Sequence, residues 1–291
     1  MIDLASYIVY GLFLGTIYLV LSTGFTLTYG IAKIVNFAYG ELFMIGTYVA
    51  YYTYMFIKDP FLSFLIATGF TGFIGALIDK CILLNLRRKS RKDDWITNSM
   101  IIFIALSIMF QYIVMAIFGP DYRGIENYMN GVIFISYIPV SIDRLVILAT
   151  SIIAVSLLGI LLKFTRIGRA LRAVAQNPEE ALASGINIDN IIMFSIAVGS
   201  SYAGLAGALL LPLFYAYPTV GLNIILKVFI IVILGGLGSL KGSIIASYLL
   251  GILEAITTAF ISYNIVLIIM FITIIFVLIV RPYGILGEKE L

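Results

Sequence analysis

The sequence has few of the residue types that usually serve in acid–base catalysis, metal binding and disulfide formation. It has no histidine, and Cys81 is the only cysteine among its 291 residues. Histidine-based acid–base catalysis, histidine proton relays and histidine metal ligands are therefore excluded. A single cysteine cannot form an intrachain disulfide, and no constellation of nucleophile, base or metal ligands stands out among the other residues. We expect no metal site and no enzyme activity in this chain.

Charge is scarce as well, at 11% of residues, whereas 62% of the residues are hydrophobic. A membrane-spanning helix needs about 20 mainly apolar residues, and such runs recur along the chain. They cover 5–29, 37–57, 61–86, 96–118, 144–164, 191–214 and 261–281, with two shorter runs at 222–234 and 243–260. The pattern predicts an all-α polytopic membrane protein, a single domain over 1–291, with about eight or nine transmembrane or broken helices and no soluble domain.

The positions of the basic residues predict the orientation of the chain, because short cytoplasmic loops are rich in Lys and Arg. Basic clusters follow the third, fifth and last long runs, and they contain Arg87, Arg88, Lys89, Arg91, Lys92, Lys163, Arg166, Arg169, Arg172, Arg281 and Lys289. The loop 119–143 has a balanced charge and is predicted to face outside. We expect the chain to lie in a cell (inner or plasma) membrane, with its N-terminus outside and its C-terminus in the cytoplasm. This orientation requires an odd number of crossings. The charge run 87–94 is interpreted as a topology signal on a solvated loop, with contact to an ATPase or to anionic lipid head groups as the alternative.

Small residues recur at the spacing that lets membrane helices approach closely. They are Gly11 with Gly15, Gly69 with Gly72 and Gly75, Ser200 with Gly204, and Ala203 with Gly207. We interpret them as contacts between helices of this chain, with contacts to another subunit as the alternative.

The longest polar segment, residues 163–190, lies in a chain that is otherwise almost continuously apolar. Its charges and its backbone are too costly to place in lipid, so it must project into water. The residues Ile167, Ala170, Leu171 and Val174 share one helical face. The pattern predicts a first short helix with one apolar side.

A second short helix is predicted from Pro178 to about residue 184. Asn177 is placed to cap its start, and Glu180 is placed to complete a capping box. Gly185 is placed to end it, and Asp189 to cap the next membrane span. The segment is interpreted either as a docking surface for a soluble partner or as a solvated connector, and its residues alone leave both open.

The segment GRALRAVAQNPEEALASGIN resembles the cytoplasmic loop of the membrane subunits of ABC transporters. Glu179-Glu180-Ala181, with Gly185 four residues on, matches the E-A-A-x-x-x-G core of that loop. The I-x-L-P that follows in many importers is missing, which indicates a divergent branch of these proteins.

Three further segments resemble one branch, the Liv-type branched-chain amino-acid permeases and their LivH-like subunit. They are the N-terminal pattern that ends in VNFAYGE at 35–41, Phe118-Gly119-Pro120, and the block LGGLGSLKG followed by GILE at 251–254. These matches cover nearly the whole chain in the right order. Tyr39 stands where this family usually has histidine.

The resemblance implies a membrane-spanning permease subunit of an ATP-driven importer for branched-chain or related hydrophobic amino acids. It implies two cytoplasmic ABC ATPase subunits that bind ATP and Mg, with no cofactor in this chain. Accordingly, the turn 235–242 does not match the nucleotide-binding pattern G-x-x-x-x-G-K-[ST]. That pattern requires Ser or Thr after the lysine, and here Gly242 follows Lys241. Further implied partners are an external solute-binding protein, the lipid bilayer and a second permease subunit, in a heterodimer first and a homodimer second. No nucleic acid is expected.

Two alternatives for the function stay open. The solute of an ABC permease could be another small molecule, such as a different amino acid, an amide or urea, or a sugar. An ion-coupled secondary transporter is less favoured, because it should have several buried carboxylates and only Glu41 and Glu254 qualify. The ATPase-coupling residues are predicted within a loop at about 165–190, and they are Arg169, Arg172, Glu179, Glu180, Ala181 and Gly185.

The candidate solute pathway lies at the start of the second apolar run, where Gly30 and Gly40 flank polar residues. A helix broken at membrane depth exposes backbone groups to a polar solute. The predicted pathway residues are Asn36, Phe37, Tyr39, Glu41 and Glu254. The alternatives are that Glu41 lies at the cytoplasmic interface, that Asn36 only caps the second span, and that Glu254 forms a structural ion pair with Lys227.

Overall fold

The computed structural model describes residues 4–89, 92–135 and 138–287, so the predictions made for Arg91 and Lys289 lie outside the described residues. The described part is almost entirely helical. Its helices are α1 (Leu4–Ala32), α2 (Tyr39–Ile57), α3 (Pro60–Ile78), a π-helical turn (Asp79–Leu83), α4 (Leu84–Lys89), α5 (Lys92–Phe118), α6 (Ile142–Phe164), α7 (Arg166–Gln176), α8 (Pro178–Ala183), α9 (Ile188–Leu210), α10 (Val220–Gly235), α11 (Leu240–Phe260), a 3₁₀ turn (Tyr263–Ile265) and α12 (Val266–Val280).

The predicted apolar runs form helices of membrane length. Seven described helical stretches are long and apolar enough to cross a membrane: Ser6–Ala32, Pro60–Lys89, Asp94–Phe118, Ile142–Phe164, Ile188–Leu210, Leu240–Phe260 and Tyr263–Val280. The runs 37–57 and 222–234 correspond to α2, which is rich in tyrosine, and to α10, which has only 16 residues. The chain is an all-α polytopic membrane protein, as predicted.

Helix α1 lies at the centre of the bundle, because it packs against both α9 and α11. Its side chains are mostly apolar all round, as expected for a helix that is buried on every face. Helix α9 packs in turn on α2 and α3, and α10 packs on α2 and α11. Helices α5 and α12 are peripheral and expose large apolar side chains such as Ile104 and Phe276. Such faces are suited to lipid or to another membrane subunit.

Small residues mark close contacts within the chain, as predicted. A Cβ at Gly11 would lie 2.6 Å from a backbone atom of α11, and Gly15 faces the same helix. Helix α9 meets α2 and α3 in the same way at Gly72, Gly75, Gly204 and Gly207. The helices approach closely because these positions lack side chains. Gly69 differs, since no described atom lies within 4 Å of its Cβ position.

The loop between α5 and α6 contains an antiparallel hairpin that the sequence analysis did not predict. Its strands are β1 (Val132–Ile135) and β2 (Ile138–Ser141). Asp143, at the start of α6, accepts hydrogen bonds from the N–H groups of Tyr128 at 3.2 Å and Met129 at 2.7 Å. These bonds hold the loop against the end of the bundle.

The helix ends fall into two sets on opposite sides of the bundle. On one side, the end of α1 lies beside α7 and the turn between α10 and α11, around a cavity of about 400 Å³. On the other side, the Arg144 guanidinium lies 4.8 Å from the Tyr10 ring, and the Tyr54 hydroxyl donates to the carbonyl of Tyr128 at 3.0 Å. The start of α1 and the loop between α5 and α6 thus lie on the side opposite to α7. The odd number of crossings stays a prediction.

Candidate functional site

Helices α7 and α8 form a polar helix pair on the side of the bundle where α1 ends. Thr165 caps α7 by accepting a hydrogen bond from the N–H of Gly168 at 2.9 Å. Asn177 caps α8 as predicted, because its Oδ1 accepts from the N–H groups of Glu179 at 3.0 Å and Glu180 at 3.4 Å. The Asn177 amide also donates to the Glu180 carboxylate at 2.8 Å. Each such cap stabilises a helix start by about 1 kcal/mol.

Helix α8 ends at the predicted stop. Gly185 has a φ of +80°, a left-handed conformation that favours glycine. The N–H of Gly185 donates to the carbonyl of Leu182 at 2.9 Å, and the N–H of Ile186 donates to that of Ala181 at 3.0 Å. This pattern is a Schellman motif. With both of its ends fixed, α8 is an ordered element and not a flexible connector.

The inward side of the polar helix pair consists of Gly168, Leu171, Val174 and Ala181. The prediction that Ile167 shares this side is wrong, because Ile167 is 46% exposed. Gly168 takes its place for a steric reason. Helix α7 turns so tightly onto the end of α6 that a Cβ at residue 168 would lie 2.1 Å from the carbonyl oxygen of Leu161.

The outward side of the polar helix pair is exposed and carries charges of both signs. Five of the six predicted coupling residues lie there: Arg169, Arg172, Glu179, Glu180 and Gly185. The sixth, Ala181, is buried and anchors α8 to the bundle. Sequence reasoning missed Leu182, which is 62% exposed on α8. A partner that binds this side would therefore contact Leu182 together with charged side chains of both signs.

Asp189 does not cap α9, so that prediction is wrong. Asn187 is the cap, and it accepts a hydrogen bond from the N–H of Asn190 at 3.1 Å. The Asp189 carboxylate accepts instead from Arg87 at 2.8 Å and from Arg88 at 3.2 Å. Charge-assisted bonds to two guanidinium groups are stronger than a bond to one backbone N–H, which explains the difference.

Arg87 belongs to an ion-pair network, so the interpretation of 87–94 as a solvated loop is wrong for this residue; Arg88, Lys89 and Asp94 are exposed, at the ends of α4 and α5. Its guanidinium lies 3.3 Å from Asp79 and 2.8 Å from Asp189, and it stacks over the Trp95 ring at 5.5 Å. Asp79 is 1% exposed and needs this partner, because an unpaired buried carboxylate costs about 3–5 kcal/mol. The network ties the π-helical turn, α4 and α5 to the start of α9, which directly follows the polar helix pair.

A non-helical segment, residues 33–38, separates α1 from α2, so the predicted break is present. Asn36 is 2% exposed, and its Oδ1 has no hydrogen-bond partner among the described residues. Asn36 does not cap α2, because the cap position is Ala38, which has no side-chain hydrogen bond to the helix. A buried carbonyl oxygen without a partner is unusual and suits a polar ligand.

Phe37 and Tyr39, which follow Asn36 in the chain, contact different helices. The half-buried Phe37 ring meets Phe229 of α10 edge-on at 5.3 Å. Tyr39 is fully buried, and its hydroxyl donates to the carbonyl of Leu21 in α1 at 2.7 Å. Tyr39 therefore fastens the start of α2 to α1, whereas Phe37 faces α10.

The first turns of α2 and α10 meet at a helix-start junction formed by Gly40, Glu41 and Gly221. A Cβ at Gly40 would lie 2.2 Å from the carbonyl oxygen of Gly221, so the backbones touch only because both residues lack side chains. Glu41 is 3% exposed and is therefore not an interfacial residue. Its Oε1 accepts from the hydroxyl of Ser107 in α5 at 3.3 Å, whereas its Oε2 has no partner among the described residues.

Glu254 lies elsewhere, in a buried triad with Lys227 and Tyr18. The ammonium of Lys227 donates to Glu254 Oε1 at 2.7 Å, which confirms the predicted pair. The Tyr18 hydroxyl donates to the other carboxylate oxygen and accepts from Lys227 at 2.9 Å. Because both carboxylate oxygens are bonded, the buried triad is a structural link between α1, α10 and α11.

Gly221 and Ser107 contact Glu41, and the sequence did not identify them as part of this site. Gly221 is the second residue of α10, the position that Gly40 holds in α2, and this shared position was the available signal. Ser107 lies within the apolar run 96–118, where a hydroxyl needs an acceptor. No local pattern identifies that acceptor, because it lies in another helix.

A bundle of membrane-length helices with an ordered polar helix pair on one side, and with partly unpaired polar side chains at a break inside it, defines a membrane transport protein. The chain belongs to the family described as Branched-chain amino acid transport system / permease component, which matches residues 7–278. The family resemblance drawn from the sequence motifs is thereby confirmed.

The chain is similar to several curated permeases over nearly its whole length. The High-affinity branched-chain amino acid transport system permease protein LivH of Escherichia coli strain K12 is 32% identical, over 96% of this chain and 94% of that protein. The corresponding BraD of Pseudomonas aeruginosa is 30% identical, over 97% and 95%. A Probable branched-chain amino acid transport permease protein LivH of Methanocaldococcus jannaschii is 30% identical, over 92% and 87%. No solved structure matches the chain.

Proposed function

We propose that this chain is the permease subunit of an ATP-driven importer of branched-chain amino acids. The observation that carries the proposal is the polar helix pair, an ordered and outward-facing element in a chain of a permease family. The solute class is taken from the relatives, whose names state branched-chain amino acid transport. ATP and Mg bind to two cytoplasmic ATPase subunits, and this chain hydrolyses nothing.

The ATPase subunits dock on the outward side of the polar helix pair. Leu182 provides an apolar contact, and the surrounding charges provide complementarity and orientation. When the ATPase subunits close on ATP, the polar helix pair moves as a rigid unit. It displaces α6, which precedes it in the chain, and α9, which follows it. The ion pairs of Arg87 with Asp79 and Asp189 transmit this displacement to α3 and α5.

The side of the bundle with the polar helix pair faces the cytoplasm. The basic residues Arg87, Arg88, Lys163 and Arg166 lie at helix ends on that side, in accord with the positive-inside rule. The N-terminus and the loop between α5 and α6 then face outside, where a solute-binding protein docks, and the C-terminus is cytoplasmic. A second permease subunit, related but different or else a second copy, completes the membrane part of the importer.

The solute passes along residues 36–41. Asn36 and Glu41 supply polar oxygens at membrane depth, and Phe37 and Phe229 supply an apolar wall for the alkyl side chain. Glu254 is left out of this path, because its carboxylate is fully used in the buried triad.

Uptake into proteoliposomes tests the proposal. The chain is reconstituted with the ATPase, solute-binding and second permease subunits of its own cell. Import of leucine, isoleucine or valine is expected only with ATP on the ATPase side and the binding protein on the other. Import of an amide, urea or a sugar instead would assign a different solute. Ion-gradient-driven uptake by the chain alone would contradict the proposal.

A further inference from the structure

We propose that the helix-start junction binds the charged head group of the amino-acid solute, with Glu41 receiving the ammonium and the first turn of α10 receiving the carboxylate. This inference rests on the proposed function and assigns the groups that recognise the solute. It uses three observations: an incompletely paired buried carboxylate, an uncapped helix start beside it, and two glycines that bring them together.

Glu41 points to a cationic ligand. It is 3% exposed and lies where α2, α5 and α10 meet. Its Oε2 has no hydrogen-bond partner among the described residues, and a buried carboxylate is costly unless a cation or several donors satisfy it. Glu254 shows the contrast, because Lys227 and Tyr18 satisfy both of its oxygens. Lys227 is committed to that triad, and among the described residues no cationic side chain pairs with Glu41, so we assign the ammonium to a ligand.

The first turn of α10 supplies the opposite charge. A helix start carries a partial positive charge and N–H groups without partners in the helix, which suits a carboxylate. The cap residue of α10, Thr219, makes no side-chain hydrogen bond to this turn, and neither does Ala38 at α2. Side chains cap the starts of α3, α7, α8, α9 and α11. The starts of α6 and α12 also lack a side-chain cap, and what sets α10 apart is the buried Glu41 carboxylate beside its first turn.

Gly221 keeps the two recognition groups close together. A Cβ at this residue would lie 2.8 Å from the carboxyl carbon and 2.8 Å from Oε2 of Glu41. The Glu41 carboxylate therefore lies directly against the backbone of the first turn of α10. A solute with an ammonium and a carboxylate on the same carbon carries two opposite charges close together, as this junction requires. Its apolar side chain is placed toward Phe37 and Phe229.

The test compares Glu41→Gln with Glu41→Asp in the complete transport complex in proteoliposomes, with uptake expressed per assembled complex. Gln keeps the shape and the acceptor for Ser107 but removes the charge, whereas Asp keeps the charge. We expect Gln to lower leucine uptake at limiting solute at least about tenfold, and Asp to retain clearly more uptake than Gln. Ser151→Ala is the matched control, since it removes another buried oxygen without a described partner, in α6. It is expected to transport at the parental rate.

Two further readouts separate recognition from structure. ATP hydrolysis stimulated by the loaded binding protein should persist in Glu41→Gln, because the ATPase contacts lie elsewhere, and its loss would assign a structural role and overturn the inference. Gly221→Ala is a second variant without a charge change; its Cβ would lie 2.7 Å from the Gly40 carbonyl oxygen and 2.8 Å from the Glu41 carboxylate. A loss of uptake is expected, and persistence of the stimulated ATP hydrolysis separates this loss from misfolding.

Parental uptake per complex by Glu41→Gln or by Gly221→Ala, or equal losses in the Gln and Asp variants, would overturn the inference and leave the proposed function intact. Absence of leucine import by the parental complex would instead refute the proposed function itself.

Discussion

The side chains of Glu254 and Tyr18 stabilise the buried ammonium of Lys227. The prediction is that Lys227→Met lowers the free energy of unfolding by about 3–5 kcal/mol, because it leaves Glu254 buried without its cation. The double variant Lys227→Met with Glu254→Leu should recover most of this loss, since no charge then remains buried. Thermal unfolding of the detergent-solubilised protein measures both variants. A single variant as stable as the parental protein would show that Glu254 has another partner.

At the residue scale, a sequence reveals which groups need partners better than it reveals the partners. Lys227 and Glu254 are rare charges in apolar helices, so their pairing was predictable from need alone. Asp189 and Arg87 were misassigned because each had a plausible local role, as a helix cap and as a loop charge. The energy of a charge pair between distant segments outweighs such local roles.

Arg87 and Arg88 offer a matched comparison at the scale of the helix elements. Arg87 is 11% exposed and connects α4 to the π-helical turn through Asp79 and to α9 through Asp189. Arg88 is 65% exposed and, among the described residues, forms an ion pair with Asp189 alone. The prediction is that Arg87→Met destabilises the protein by about 3–5 kcal/mol, and Arg88→Met by less than about 1 kcal/mol. Thermal unfolding of the two purified variants measures the difference, and equal losses would refute the bridging role.

The end of α8 gives a second prediction at this scale. Gly185→Val places a β-branched side chain at φ +80°, which is strained, and it should misorient the polar helix pair. We expect normal membrane insertion but a several-fold loss of ATP-driven uptake. Gly159→Val is the control, because the Cβ position of Gly159 in α6 has no described atom within 4 Å. Equal uptake by the two variants would show that the geometry of α8 does not matter for coupling.

Helix ends marked by local chemistry were predictable, and helix contacts were not. Asn177 and Gly185 specify α8 within a few residues, so its start and stop followed from the sequence. The helix-start junction joins Gly40 to Gly221 across most of the chain, and only the packing of the whole bundle brings them together. The same limit explains why Glu41 was recognised as a buried carboxylate while its neighbours Ser107 and Gly221 were missed.

For the whole molecule, the two sets of helix ends predict that α8 and the loop between α5 and α6 face opposite sides of the membrane. Single cysteines introduced by Ser184→Cys and Asn127→Cys, each in a Cys81→Ser background, test this with a membrane-impermeant thiol reagent. Both positions are exposed. The first variant should react only from the cytoplasmic side and the second only from outside. Reaction of both from one side would overturn the topology.

The buried triad also bears on how the chain enters the membrane during synthesis. Lys227 lies in the 16-residue α10 and Glu254 in α11, and only the turn 236–239 separates these helices. A lysine in the centre of an inserting helix costs about 2.5–3.5 kcal/mol, so α10 partitions poorly into lipid by itself. We therefore expect the two helices to insert as a hairpin, with their charges already paired. A nascent chain that ends directly after α10 should insert less efficiently than one that ends after α11, because it exposes that lysine to the bilayer.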